Sequence, residues 1–321
     1  MQRARTSVQA ETRYHPNADQ LALAAELDET IGSLLPSSRL HSAHEESGET
    51  WARLADAGIF GICVPEERGG TGLGAAEEAL IAMGLGRRLA SPAVFATLGA
   101  VHAPGFALEG RRVAAAYRTG GGTVVIDPAG ADLLLVRGDR EAALHAVPDG
   151  GSESLDERLW LSKLHRVESV GGPLACFDDA GVLRLRLIDA AALAGIAETA
   201  LQMAVAYAGL REQFGRPIGT FQAVKHHCAN MVIASRSARD QVSFASIAVD
   251  DGREDARLQV ECALAFAAAA AIDNAGKNIQ IHGGIGFSDE ADPHLLLKRA
   301  QVYTAIAGGV EAAHRRIADI P

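Results

Sequence analysis

Apolar residues recur at helical spacing in the first part of the chain and again in the last part, with a different rhythm between. "NADQLALAAELDETIGSLL" carries apolar positions three and four apart, with Asn17 or Asp19 available as an N-cap. "GETWARLADAGIFG" predicts a second helix that ends on glycines, and "AAEEALIAMGLGRRLA" a third. Between them, "VPEERGGTGLG" is a run of turn formers. No Gly-Lys-Ser/Thr follows these glycines and they do not match the dinucleotide fingerprint, so they read as a tight connection between helices.

From about residue 117 to 188 the pattern shortens. "GGTVVIDPAGADLLLVRGDREAALHAVP" has brief apolar runs separated by Gly, Pro and Asp, and "GVLRLRLID" alternates apolar and basic residues with a period of two, which predicts a strand. From Asp189 on, long helices return. "DAAALAGIAETALQMAVAYAGLREQ" opens on an acidic cap, "TFQAVKHHCANMVIASRSARDQVSFASIAVDDG" on Thr220, and "EDARLQVECALAFAAAAAIDNAGKNIQIHGG" runs into a double glycine. Shorter helices follow through "PHLLLKRAQVYTAIAGG". The expected fold class is α+β, mainly α. It comprises a polar arm (1–17), an N-terminal helical domain (18–116), a reduced β-domain (117–188) and a C-terminal bundle (189–321). No internal repeat is visible.

Composition narrows the function classes. Hydrophobic residues make up 48% and charged residues 22% of the 321, as in a core-forming globular protein. A net charge of −10 without a basic tract argues against nucleic-acid binding. The longest apolar run, "ECALAFAAAAAID", reads as too short and alanine-rich to span a bilayer, and the N-terminus lacks an apolar signal core. Cys63, Cys176, Cys228 and Cys262 are far apart, and His226, His227 and His282 have no metal-like spacing, so no metal is expected and a reduced, cytoplasmic setting fits best.

Four stretches together carry a resemblance: "WARLADAGIFGICVPEERGGTGLG", "REQFGRPIGTFQAVKHHCANM", "QIHGGIGFSDEADPHLLLKRA" and the α, β, α order. In these the chain, from about Asp19 to its end, resembles the acyl-CoA dehydrogenases, flavoenzymes with an N-terminal helical domain, a β-domain and a C-terminal four-helix bundle. The resemblance implies FAD as cofactor. It places Arg211, Phe214 and Gln222 at contacts to the pyrophosphate and adenine half of FAD, and Gln280, Gly283 and Gly284 at adenosine-side contacts that reach a neighbouring subunit's flavin. The chemistry is sound on its own terms: a guanidinium forks onto pyrophosphate oxygens, and Gly215 and Gly219 let backbone come close. The plainer reading of the same residues is a helix corner with Arg211 offsetting the dipole.

The resemblance also exposes a gap. Family members abstract the α-proton of an acyl-CoA with a glutamate while the β-hydride passes to flavin N5. Counting from "GGIGF" puts the usual glutamate position at Ala307, with Gly309 where a flavin-touching threonine would stand. Counting back from "REQFG" puts the alternative position at Leu185. Neither residue accepts a proton. Glu198 and Glu311 read as surface or bundle residues, and Glu290 as a cap for the following helix. The β region also lacks the "T-E-P-x-x-G-S-D" type segment and tryptophan stretch that cover the isoalloxazine ring, and Trp160 reads as packing. Arg186, beside Leu185, suits either a CoA contact or a solvent-facing strand position.

The combination resembles the reduced, non-catalytic subunit of heteromeric actinobacterial acyl-CoA dehydrogenases that act on steroid side chains attached to CoA. The expected protein is therefore a subunit of an FAD-dependent acyl-CoA dehydrogenase, α2β2 with a homologous catalytic partner that supplies the glutamate. The alternatives are a homo-oligomeric dehydrogenase with a relocated base, Glu290 or Glu311, and a flavin-free assembly or CoA-binding homologue.

Overall fold

The computed structural model describes residues 13–41, 45–107, 110–148, 152–155 and 161–320. Trp160 and most of the polar arm lie outside the described residues.

Four helices lead: α1 (Ala18–Leu34), α2 (Gly48–Asp56), α3 (Ala75–Arg87) and α4 (Pro92–Ala100). Asn17 starts α1 with a capping box: its Oδ1 accepts from the Gln20 N–H at 2.9 Å, and Gln20 Oε1 accepts from the Asn17 N–H at 2.8 Å. The start of α3 is capped from far away in sequence. Both carboxylate oxygens of Asp250 accept from its first amides, Ala75 at 2.5 Å and Ala76 at 3.0 Å.

Seven strands follow, β1 (Val113–Thr119), β2 (Gly122–Ile126), β3 (Leu133–Arg137), β4 (Ala142–Ala146), β5 (Ser152–Ser154), β6 (Leu164–Val167) and β7 (Ala175–Cys176). They form one sheet in the order β5-β6-β2-β1-β3-β4-β7. β1 pairs antiparallel with β2 and parallel with β3.

The last part is helical: α5 (Asp179–Leu210), a small hairpin of β8 (Glu212–Gln213) and β9 (Arg216–Pro217), α6 (Gln222–Asp250), α7 (Ala256–His282), α8 (Pro293–Ile306) and α9 (Val310–Ala318). The family of helices packs around α5, which touches α3, α4, α6, α7 and α8. At the crossing with α3 the backbones are in contact. A β-carbon added to Gly195 would lie 2.2 Å from the Met83 carbonyl oxygen, and one added to Gly86 would lie 2.2 Å from that of Ala192. Only glycine fits at this crossing.

One expectation from the pattern is overturned. "GVLRLRLID" is the first two turns of α5, not a strand, with Asp178 capping it by accepting from the Gly181 N–H at 2.8 Å. The period-two reading assumed that its arginines face water. Instead both meet buried carboxylates. Arg184 Nε donates to Glu78 Oε2 at 2.9 Å, and Arg186 donates to Glu261 Oε1 and, at 2.7 Å, to the Asp139 carbonyl. Arg316 completes the second cluster, with Nε 2.9 Å from Glu261 Oε2 and Nη1 2.7 Å from Asp139 Oδ1. Arg186 is therefore a buried, carboxylate-paired helix residue and not a solvent-facing strand position. Burial pulls its guanidinium down to about 10, against the opposing pull of Glu261.

The apolar run around "ECALAFAAAAAID" also belongs to a longer element than it suggests. Ala256–Phe287 is long and apolar enough to cross a bilayer by length and composition, yet 61% of its most apolar window is buried, and it packs on α5 and α6.

Two outcomes follow for stability. Glu261→Leu leaves the Arg186 and Arg316 guanidiniums buried without their shared carboxylate, and urea denaturation should register a loss of about 3–5 kcal/mol. Combining it with Arg186→Met and Arg316→Met should recover most of that loss. At the other cluster, burial raises the Glu78 carboxyl, but Arg184 and His102 (Nε2 2.7 Å from Oε1) outweigh it and hold the group below its ordinary value. A depressed carboxylate contributes stability above its unfolded pKa and loses it as pH falls through the folded one. Denaturation midpoints measured downward from pH 7 should fall less steeply below about pH 4.5 in Glu78→Gln than in the parent.

Candidate functional site

The two positions where a base is expected are both buried. Leu185, on α5, is 2% exposed, and Ala307, just past α8, is 8% exposed. Next to them lies a cavity of ≈20 Å³, bounded by Phe95, Leu185, Ile188, Tyr303 and Ile306, with Arg137 and Asp189 also at its wall. That is room for about one water. An acyl chain does not fit.

Asp189 is the carboxylate that sequence reasoning missed, and its signal was present: it stands one helical turn after Leu185. Burial raises its carboxyl, opposed by the Arg137 guanidinium, whose Nη1 is 2.5 Å from Oδ2. The pairing engages Asp189 with an arginine contributed by β3. The other carboxylates are elsewhere. Glu290 and Glu311 are exposed, and neither lines the cavity. Glu198 pairs with Arg87 at 3.0 Å. Glu290 is not a helix cap either, since the N-cap position of α8 is Asp292, without a side-chain cap bond. Cys63 is no nucleophile: burial pushes its thiol far up, and its sulfur sits 3.0 Å from Arg184 Nη2.

The second place is the outer end of the bundle. α5 stops at Leu210, and Arg211 turns extended while its N–H still bonds Tyr207 O at 2.8 Å. The β8–β9 hairpin turns through Phe214 and Gly215 at φ values of 53° and 74°, the paired positive angles of a type I′ turn. Glycine adopts this conformation freely and phenylalanine does not. Phe214 nevertheless stands there with 92% of its surface exposed. Gly219 does not open the corner to a ligand; it packs against the Ala208 carbonyl.

Thr220 does not cap α6. Its hydroxyl donates to Pro217 O at 2.7 Å, and α6 begins after Phe221 with no side-chain cap and no acidic residue in its first turn. Its amides are left open beside exposed Gln222, in contrast to the carboxylate-capped starts of α3 and α5.

The second motif arrives at the same end. His282 closes α7, its ring stacked on Tyr207 at 4.0 Å between centroids and its Nδ1 2.9 Å from Asn278 O. Ile281 packs in one small apolar cluster with Ala204, Ala208 and Met231, which also holds Tyr207 and Ile218 against it. Arg211, Phe214, Gln222, Gln280, Gly283 and Gly284 are all exposed there, as are Leu210, Ile285 and Phe287. Among the described residues Arg211 has no carboxylate partner.

A bulky side chain at a left-handed turn position costs about 1–2 kcal/mol. Phe214→Asn, which tolerates that conformation, should raise stability in urea by about 1 kcal/mol. A drop instead would show that Phe214 has packing that its exposure conceals.

Comparison with known proteins gives this geometry its context. Residues 17–108 match the family model for the acyl-CoA dehydrogenase N-terminal domain, and residues 181–320 that for the C-terminal domain. Acyl-CoA dehydrogenase FadE34 of Mycobacterium tuberculosis (strain ATCC 25618 / H37Rv) is 33% identical over 308 residues, a match that takes in 85% of this chain but 42% of FadE34. Acyl-CoA dehydrogenase IpdE2 of the same organism is 32% identical over 263 residues, 78% of this chain and 79% of IpdE2. Among solved structures, the ChsE4-ChsE5 complex from Mycobacterium tuberculosis superposes with a TM-score of 0.75 at 24% identity, over 96% of this chain and 100% of that one. A variant of the Tcur3481-Tcur3483 steroid ACAD gives 0.74 at 24%, over 94% and 97%. At these identities the two structures speak to the fold. With both domain models matched in order and IpdE2 aligned over most of its length, the chain belongs to the acyl-CoA dehydrogenase family, whose members are FAD-binding flavoproteins.

Proposed function

We propose that this chain is the subunit of a heteromeric acyl-CoA dehydrogenase that holds the adenine and pyrophosphate side of FAD, while a homologous partner supplies the catalytic glutamate. One observation carries the reading. Leu185 and Arg211 lie 26 residues apart on and just past a single continuous helix, about 39 Å at 1.5 Å per residue. The corner and the interior cavity of one chain are therefore too far apart to share one flavin dinucleotide. The corner is open and cationic; the cavity is small and mostly apolar, and the carboxylate at its wall, Asp189, is paired with Arg137. A corner able to hold a dinucleotide, in a chain whose cavity beside Leu185 is too small for the reacting end, suits a site completed by another subunit.

The residues present fit half of FAD. Arg211, a guanidinium without a carboxylate partner among the described residues, is suited to pyrophosphate oxygens, α6 starts beside it without a side-chain cap, and Gln222 and Gln280 offer amides to an adenine edge. Bound FAD supplies the acceptor for the hydride that leaves the acyl β-carbon. Proton abstraction belongs to the partner, because Ala307 and Leu185 cannot perform it. The exposed Leu210, Phe214, Ile285 and Phe287 suit burial against that partner. An α2β2 assembly, a cytoplasmic setting and an acyl-CoA with a bulky steroid side chain complete the proposal. A complex of two acyl-CoA dehydrogenase-like chains and a steroid ACAD among the structural neighbours support it.

Co-expression with a homologue that retains the glutamate should give a yellow complex that oxidises acyl-CoA in a dye-reduction assay, while this chain alone stays colourless or inactive. Yellow, active protein from this chain alone would overturn the partner reading, and a colourless complex with every such homologue would favour a flavin-free role. In the yellow complex, Arg211→Ala should raise the Kd for FAD about tenfold or more, with the assembly unchanged on size exclusion.

A further inference from the structure

The β8–β9 hairpin carries a second cation beside Arg211. Register pairs Gln213 with Arg216 and Glu212 with Pro217, and Arg211 O accepts from the Ile218 N–H at 2.8 Å. Side chains alternate along a strand and stand beside those of their cross-strand partners. Arg211, Gln213 and Arg216 thus share one face, while Glu212 belongs to the other. Arg216 is the diagonal neighbour of Arg211 on that face, with β-carbons about 7 Å apart.

Two guanidiniums at this spacing repel each other, and neither has a carboxylate partner among the described residues. The contrast with the interior is sharp. Arg87, Arg137, Arg186 and Arg316 each face a carboxylate, in a chain with 40 acidic residues against 30 Lys and Arg. Arg216 is also held in place. Its guanidinium carbon lies 4.2 Å from the centroid of the Phe221 ring, and Phe221 in turn meets Phe214 edge-on at 6.1 Å. Stacking on an aromatic face limits the freedom of a long side chain, so less is lost when a ligand arrives.

We propose that Arg216 is a second anion contact of the corner: Arg211 and Arg216 grip the two phosphates of a dinucleotide between them, with Phe221 as the support that orients Arg216. This rests on the reading of the corner as an FAD contact. Two adjacent phosphates match two cations on one face as a single carboxylate does not, which selects a pyrophosphate-bearing nucleotide.

The test is FAD binding to the flavin-stripped complex of the full chain with its partner, followed by flavin fluorescence, with assembly checked by size exclusion. Arg216→Ala should raise Kd about tenfold. Arg216→Lys, which keeps the charge but loses the fork and the stack, should restore part of the affinity, and Arg216→Gln, which is neutral, should behave like Ala. An unchanged Kd in Arg216→Ala, with Arg211→Ala weakened, overturns the role of Arg216 and leaves the FAD reading standing; unchanged values in both overturn that reading too. Affinity kept in Arg216→Gln reduces Arg216 to packing. If Arg216→Ala breaks the complex, the difference between Lys and Gln still decides.

Discussion

The contact between Gly86 of α3 and Gly195 of α5 is the constraint on which the arrangement rests. With no β-carbon on either side, two helices from the N-terminal and C-terminal helical regions touch backbone to backbone. That closeness sets the depth at which α5 runs through the molecule and leaves Gly181 to Ala197 almost continuously buried. A helix buried on every side has no polar face to turn outward. Its unavoidable charges, Arg184, Arg186 and Asp189, can be tolerated only with partners, and each has one: Glu78, Glu261 and Arg137.

The same burial accounts for the state of the interior. The wall that would face a substrate is made of Leu185 and Ile188 from α5, Phe95 from α4, and Tyr303 and Ile306 from α8. The Tyr303 hydroxyl donates to the Ala90 carbonyl, which fixes the ring across the space. Tight apolar packing here is what a core favours when no ligand must enter. The outer end of α5 is governed by different terms. There the chain tolerates a phenylalanine at a left-handed turn position, a helix start without a side-chain cap and guanidiniums that have no carboxylate partner among the described residues, features that a segment serving only its own fold has little reason to keep.

How much of this the sequence shows depends on how local the determinants are. The helix α1 is legible because Asn17 and Gln20 form its start within four residues. The corner is legible because "REQFGRPIG" and "QIHGG" are short contiguous runs whose order and spacing match the family. The start of α5 is not. An alternating "RLRL" is indistinguishable from a strand until Glu78 and Glu261, 106 and 75 residues away, are seen to receive the two arginines. The closed cavity is illegible for the same reason, since Arg137 and Asp189 pair across 52 residues. Thr220 looks like a cap by residue type, and only the corner's geometry sends its hydroxyl to Pro217 instead.

The continuity of α5 has an evolutionary side. One unbroken helix of 32 residues fixes the register of its outer end by its own hydrogen bonds, whatever side chain stands at Leu185 near its inner end. Loss of a reacting group inside thus leaves the angle and reach of the corner unchanged. After a gene duplication, one copy of such a chain can shed its interior chemistry in single steps and remain useful to its sibling at each of them. On the proposed reading, division of labour between two similar subunits is then an accessible path, because the two tasks would stand at opposite ends of one rod.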